Sequence, residues 1–194
     1  MPEAPVSARP VAVLTALGAW LIVALALGAS GRLQALQPPL PQLTLVALTA
    51  GALLATAKVQ AVRAWALSVD VRVLVAFHLT RFVGSYFLVL YARGELPYAF
   101  AVPGGWGDIL VASLALLLLV SGPPETVRRL RAYVAWNVLG LLDILFVVAT
   151  AARLGFAAPA SMQALLRLPL SLLPTFLVPL IITSHVVLAV RLRR

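Results

Sequence analysis

The sequence contains no cysteine. Disulfides, thiolate-bound zinc and iron–sulfur clusters are therefore excluded, and thiol usage says nothing about the redox state of the compartment. Charge is also scarce: 11% of the 194 residues are charged, against roughly 25% in soluble domains. Six residues are acidic and two are histidine, so any buried charge or imidazole stands out. No segment is left over to build a soluble domain. What fills the chain is apolar: 62% is hydrophobic, in runs that repeatedly approach the ~20 residues a helix needs to cross a ~30 Å hydrocarbon core.

The net charge of +9 is not a nucleic-acid signature. A nucleic-acid binder gathers its basic residues on one soluble face, whereas here they are spread over the ends of apolar spans. The first apolar run, Val11 to Ala29, is longer than the ~7–15 residues of a signal h-region and follows a single basic residue, Arg9, so it reads as a retained helix.

The pattern predicts an all-α integral membrane bundle of six spans in one domain, at about 11–30, 41–62, 73–92, 108–121, 132–152 and 168–190. Proline-containing breaks such as Pro38-Pro39-Leu40-Pro41 carry most of the connections. The fourth span is short, from Asp108 to Ser121. Before it, Pro103-Gly104-Gly105-Trp106-Gly107 reads as a loop able to dip into the protein, with Asp108 as the N-cap that follows. Ala47, Gly51 and Ala55, at four-residue spacing in the second span, predict close packing by another helix. Trp65, Tyr133 and Trp136 at one boundary, and Tyr91, Tyr98 and Trp106 at the other, read as interfacial belts. The segment from Pro159 to Arg167 reads as a short amphipathic helix anchoring a loop.

Orientation follows from the basic residues. One face carries Arg9, Lys58, Arg63, Arg72, Arg128, Arg129, Arg131, Arg191, Arg193 and Arg194; the other carries Arg32, Arg93, Arg153 and Arg167. By the positive-inside rule both termini are expected in the cytoplasm, with the chain multi-pass in a cytoplasmic membrane.

Arg81 is the exception to this surface distribution. A guanidinium at bilayer depth costs several kcal/mol unless a partner or a water cavity receives it. Asp143 is the deepest acidic residue in these spans and the expected partner. The pair reads either as a clamp between spans or as part of a cavity that binds an anion or relays protons. Counting inward at ~1.5 Å per residue places His78, Asn137 and His185 in one layer roughly 8 Å below the cytoplasmic boundary. Two histidines at equal depth fit bis-imidazole ligation of a b-type haem, with Arg72 or Lys58 near the propionates. Zinc or copper would find only part of its usual ligand set. Pro174 and Pro179 break the sixth span, as helices are broken at transporter binding sites. No Ser–His or paired-carboxylate arrangement is visible, which argues against an enzyme.

At Asp108-Ile109-Leu110, at Trp136-Asn137 and over Leu173 to His185, the chain resembles a group of small bacterial integral membrane proteins of unknown function. The resemblance covers roughly residues 77–190 and implies a site at Arg81, Asp108, Asn137, Pro174, Pro179 and His185 in a bacterial inner membrane; His78 has no counterpart in it. It supplies no activity. The expected function is a small permease-like ligand-binding protein, free of any cofactor, whose polar site comprises Arg81, Asp143, Asn137 and His185. The alternatives are a haem protein using His78 and His185, or a structural or assembly subunit. The expected partners are the lipid bilayer and a second copy or a membrane complex.

Overall fold

A computed structural model describes residues 8–193, and every regular element among them is helical. Arg194 and the side chain of Arg9, both counted in the orientation argument, lie outside the described residues. Six segments are long and apolar enough to cross a membrane: Pro10–Ala29, Leu40–Lys58, Val71–Ala92, Tyr98–Ser121, Val127–Ala157 and Leu173–Arg191. The elements are α1 (Ala8–Ala29), α2 (Leu40–Lys58), α3 (Gln60–Ser68), α4 (Val71–Phe77), α5 (Gly84–Ala92), α6 (Tyr98–Ser121), α7 (Val127–Ala157) and α8 (Val178–Arg191). Helix α6 packs between α5 and α7, α8 lies against α7, α4 and α2, and α1 touches α3.

The third span is not one α-helix. Between α4 and α5, residues His78–Val83 tighten into a 3-10 helix. Its buried residues are Val75, His78, Arg81, Gly84, Phe87 and Leu90, one in every three. At 3.6 residues per turn such a stripe would drift around the helix by about 60° per step. In a 3-10 helix positions i and i+3 eclipse, so the tightened segment keeps His78, Arg81 and Gly84 on one line. At the start of α4, the Asp70 carboxylate accepts from the Arg72 backbone N–H at 2.6 Å.

The fourth span begins ten residues before its expected start. Helix α6 runs continuously from Tyr98 through Pro103 and the following glycines, so 103–107 is neither a loop nor re-entrant, and Asp108 is a buried mid-helix residue instead of an N-cap. Proline and glycine read as breakers on aqueous propensities. Among apolar neighbours an unbroken helix keeps its backbone bonded, and small residues let another helix approach. A Cβ on Gly84 would sit 2.5 Å from the Gly105 carbonyl oxygen, and one on Gly105 would sit 2.7 Å from that of Gly84. This glycine pair is the close crossing of α5 and α6. The Ala47–Gly51–Ala55 stripe does not act that way: Ala47 and Gly51 are exposed, and nothing lies within 4 Å of where a Gly51 Cβ would be. Tyr133 and Trp136 are also not interfacial. Both are buried, Tyr133 donating to the Gly122 carbonyl at 2.9 Å and Trp136 to that of Val111 at 3.0 Å.

The last span starts at a π-turn, Leu173–Leu177, leading into α8, so Pro169 falls in the preceding turn and not in the helix. Pro179 has no N–H for the carbonyl of Thr175, four residues earlier. Trp20 of α1 supplies it: the indole Nε1 donates to the Thr175 oxygen at 2.8 Å, and its ring packs edge-on against Phe176. Two apolar clusters result, one around Phe87, Phe100, Ile144 and Ile181, the other around Val75, Val111, Tyr133 and Leu188. The residues between them in each of the four core spans form a polar layer.

Changing Trp20 to Phe keeps the edge contact and deletes only the donor. It should cost about 1–3 kcal/mol by leaving the Thr175 carbonyl without a partner, measured as loss of stability of the detergent-solubilised protein.

Candidate functional site

The polar layer is built on Arg81, which is 1% exposed. Its Nε donates to Asp108 Oδ1 of α6 at 2.6 Å and its Nη1 to the Gly140 carbonyl of α7 at 2.9 Å; its Nη2 is paired with Asp143 Oδ2 of α7. The expected Arg81–Asp143 pair is thus one arm of a three-way clamp. Asp108 is the more deeply buried acid, its side chain 5% exposed against 16% for Asp143. Depth counting missed it because the start of α6 was misplaced. All three guanidinium nitrogens are engaged, and the cluster holds two carboxylates for one cation. An excess of acid disfavours the anion-binding reading of this cavity.

Small residues make the clamp reachable. Besides the Gly84–Gly105 crossing, a Cβ on Gly107 would collide with the Asp143 carboxylate, and one on Gly140 would come within 2.7 Å of the His185 ring. No sequence signal marked Gly107 or Gly140, because their role depends on which helices cross there.

Next to the clamp, His78, Asn137 and His185 come together. Asn137 Oδ1 lies 2.8 Å from His185 Nδ1, while Asn137 Nδ2 donates to the His185 carbonyl at 3.1 Å. The imidazoles of His78 and His185 lie against each other with centroids 4.2 Å apart, both rings fully buried, with Trp136 packed on each. Ser184 Oγ is 3.0 Å from His78 Nε2, a Ser–His contact the sequence did not reveal. This hydroxyl also donates to the Ile181 carbonyl at 2.8 Å and is buried, so it is not poised as a nucleophile.

The histidines do not fit the haem reading. Iron would need two imidazole bonds of about 2 Å on opposite faces of a macrocycle. Here the two rings touch, are tilted 47° to each other, and leave no slot between them. Among the described residues no group of three or more His, Asp or Glu is placed to hold a metal ion.

A groove with a volume of about 160 Å³ leads to the clamp. Its walls are mainly apolar, from Leu45 of α2, Phe87 of α5, Ile144 to Ala152 of α7, and Leu173, Pro174 and Leu177 of the π-turn; Arg81 and Asp108 line its inner end. The contacts along α7 from Ile144 to Gly155 make it about 16 Å long. The segment expected to be a mere loop anchor contributes to the wall: Pro159–Leu166 forms a 3-10 helix whose Met162, Gln163 and Leu165 line the groove. Gln42 also lines it, and its buried Oε1 has no hydrogen-bond partner. Pro174 therefore sits at the groove, whereas Pro179 is buried beside it in α8.

A family model described as a domain of unknown function (DUF8737) matches residues 38–193. That range contains the whole polar layer and begins after α1. No curated protein and no solved structure matches the chain.

Arg81→Ala should destabilise the protein by about 3–5 kcal/mol, because it strands the buried carboxylate of Asp108 and the half-buried one of Asp143. Adding Asp108→Asn and Asp143→Asn should restore part of that loss. Arg81→Lys should rescue poorly, since a point-charge ammonium cannot reproduce the three-way fork. Equilibrium unfolding in mixed micelles of increasing sodium dodecyl sulfate content measures all three.

Proposed function

The chain belongs to the DUF8737 family, a domain of unknown function, and from the groove and its polar end we propose a permease-like membrane protein that binds an elongated, mainly apolar solute through a cationic, hydrogen-bond-donating head. Six spans of sufficient length and apolarity support insertion in the bilayer as a multi-pass protein. The basic ends of α4 and α8 lie together with the end of α6: Arg72 Nη2 donates to the Leu119 carbonyl at 3.2 Å, and Arg191 Nη1 is bonded to that of Val69. One basic end supports a cytoplasmic location for both termini by the positive-inside rule.

The observation that carries the reading is an apolar groove ending on a carboxylate in a cluster with one more acid than base. A buried unbalanced charge is costly, and an arriving cation relieves it. The acceptor Oε1 of Gln42, which no protein donor satisfies, adds a second point along the groove suited to a ligand N–H or O–H. The π-turn with Pro174 in the groove wall supports a permease type, since broken helices line transporter sites.

Dodecylammonium and dodecanoate share a chain and differ in the sign of the head. In lipid nanodiscs, the ammonium should raise the thermal unfolding midpoint in proportion to the logarithm of its concentration, and the carboxylate should not. Asp108→Asn should remove the difference. Equal responses to both compounds, or none, would sink the reading.

A further inference from the structure

Three acceptors in the polar layer lack the hydrogen that would balance them. The first is the excess carboxylate of the clamp. The second and third are ring nitrogens, His185 Nε2 and His78 Nδ1, both buried and without a hydrogen-bond partner. The network fixes their tautomers. Because Asn137 Nδ2 donates to the His185 carbonyl, its Oδ1 faces His185 Nδ1 as an acceptor. Nδ1 therefore carries the hydrogen, and Nε2 is a bare lone pair. Ser184 spends its one hydroxyl hydrogen on the Ile181 carbonyl, so it accepts from His78 Nε2–H and leaves Nδ1 bare.

The His185 lone pair adjoins the clamp. A Cβ on Gly140 would lie 3.0 Å from His185 Nε2, and the carbonyl of the same residue holds Arg81 Nη1 at 2.9 Å. The charged and titratable groups around the clamp come from every packed element: Arg81 and His78 from the third span, Asp108 from α6, Asp143 from α7 and His185 from α8. The two ion pairs of the described residues are both Arg81's.

We propose that the Arg81–Asp108–Asp143 cluster binds one exchangeable proton on its two carboxylates. Taking up the proton forms one O–H bond on a carboxylate and leaves one carboxylate opposite one guanidinium, so the buried cluster is neutral. The donor is solvent water, which is left as hydroxide. The site does not depend on the solute reading above, because the charge count holds for the empty groove.

Infrared difference spectroscopy of the full chain in nanodiscs, exchanged from H₂O to D₂O at neutral pH, reads the protonated carboxyl stretch directly. The wild type should show one exchangeable band. Asp108→Asn and Asp143→Asn should each abolish it, since either change leaves one carboxylate for Arg81, and Asp143→Glu should retain it. A wild type without the band, or a band that survives in either Asn variant, overturns the proton site. Asp70, Glu95 and Glu125 are exposed and outside the cluster, so Glu95→Gln, which leaves the clamp untouched, should change nothing and serves as the control.

Discussion

A single guanidinium held by acceptors from two neighbouring helices organises the interior. Arg81 cannot shed its charge, so burying it requires acceptors at each of its three nitrogens, and the chain provides them from α6 and α7. Meeting that demand dictates local structure well beyond the ion pairs. The third span tightens so that the arginine points inward. Glycines at positions 84, 105, 107 and 140 remove the side chains that would hold the helices apart. The cost of one buried charge is thus spread over four helices.

The polar layer separates two apolar clusters, and the groove opens into only one of them. On the closed side, His78, Trp136 and His185 are packed against one another. On the open side, Arg81 and Asp108 face a space walled by aliphatic residues. A cationic head entering from the groove and a bound proton would therefore compete for the same surplus negative charge, and only one of them can neutralise it.

Much of this was legible in the sequence, for identifiable reasons. Length and hydropathy suffice for six spans, because crossing hydrocarbon leaves few alternatives to a helix of about 20 residues. Counting along spans put His78, Asn137 and His185 at one depth, since neighbouring helices in a bundle run nearly parallel. Aqueous propensities failed at Pro103–Gly107, where a run of breakers lies inside α6, and that error left Asp108 out of the depth count, although the resemblance implied it as a site residue. The 3-10 segment was invisible because it answers to the tertiary needs of Arg81, and no residue in His78–Val83 encodes it locally. The groove was equally beyond reach, since it lies between elements distant in the chain, from Gln42 to Ile181.

The three-residue ladder from Val75 to Leu90 also makes the third span a counting device. A residue inserted between His78 and Gly84 would turn everything after it by about a third of a revolution. Phe87 and Leu90 would rotate out of the core while His78 stayed in place. Variation can change the side chains on the outer faces of this span freely, but it cannot change its length.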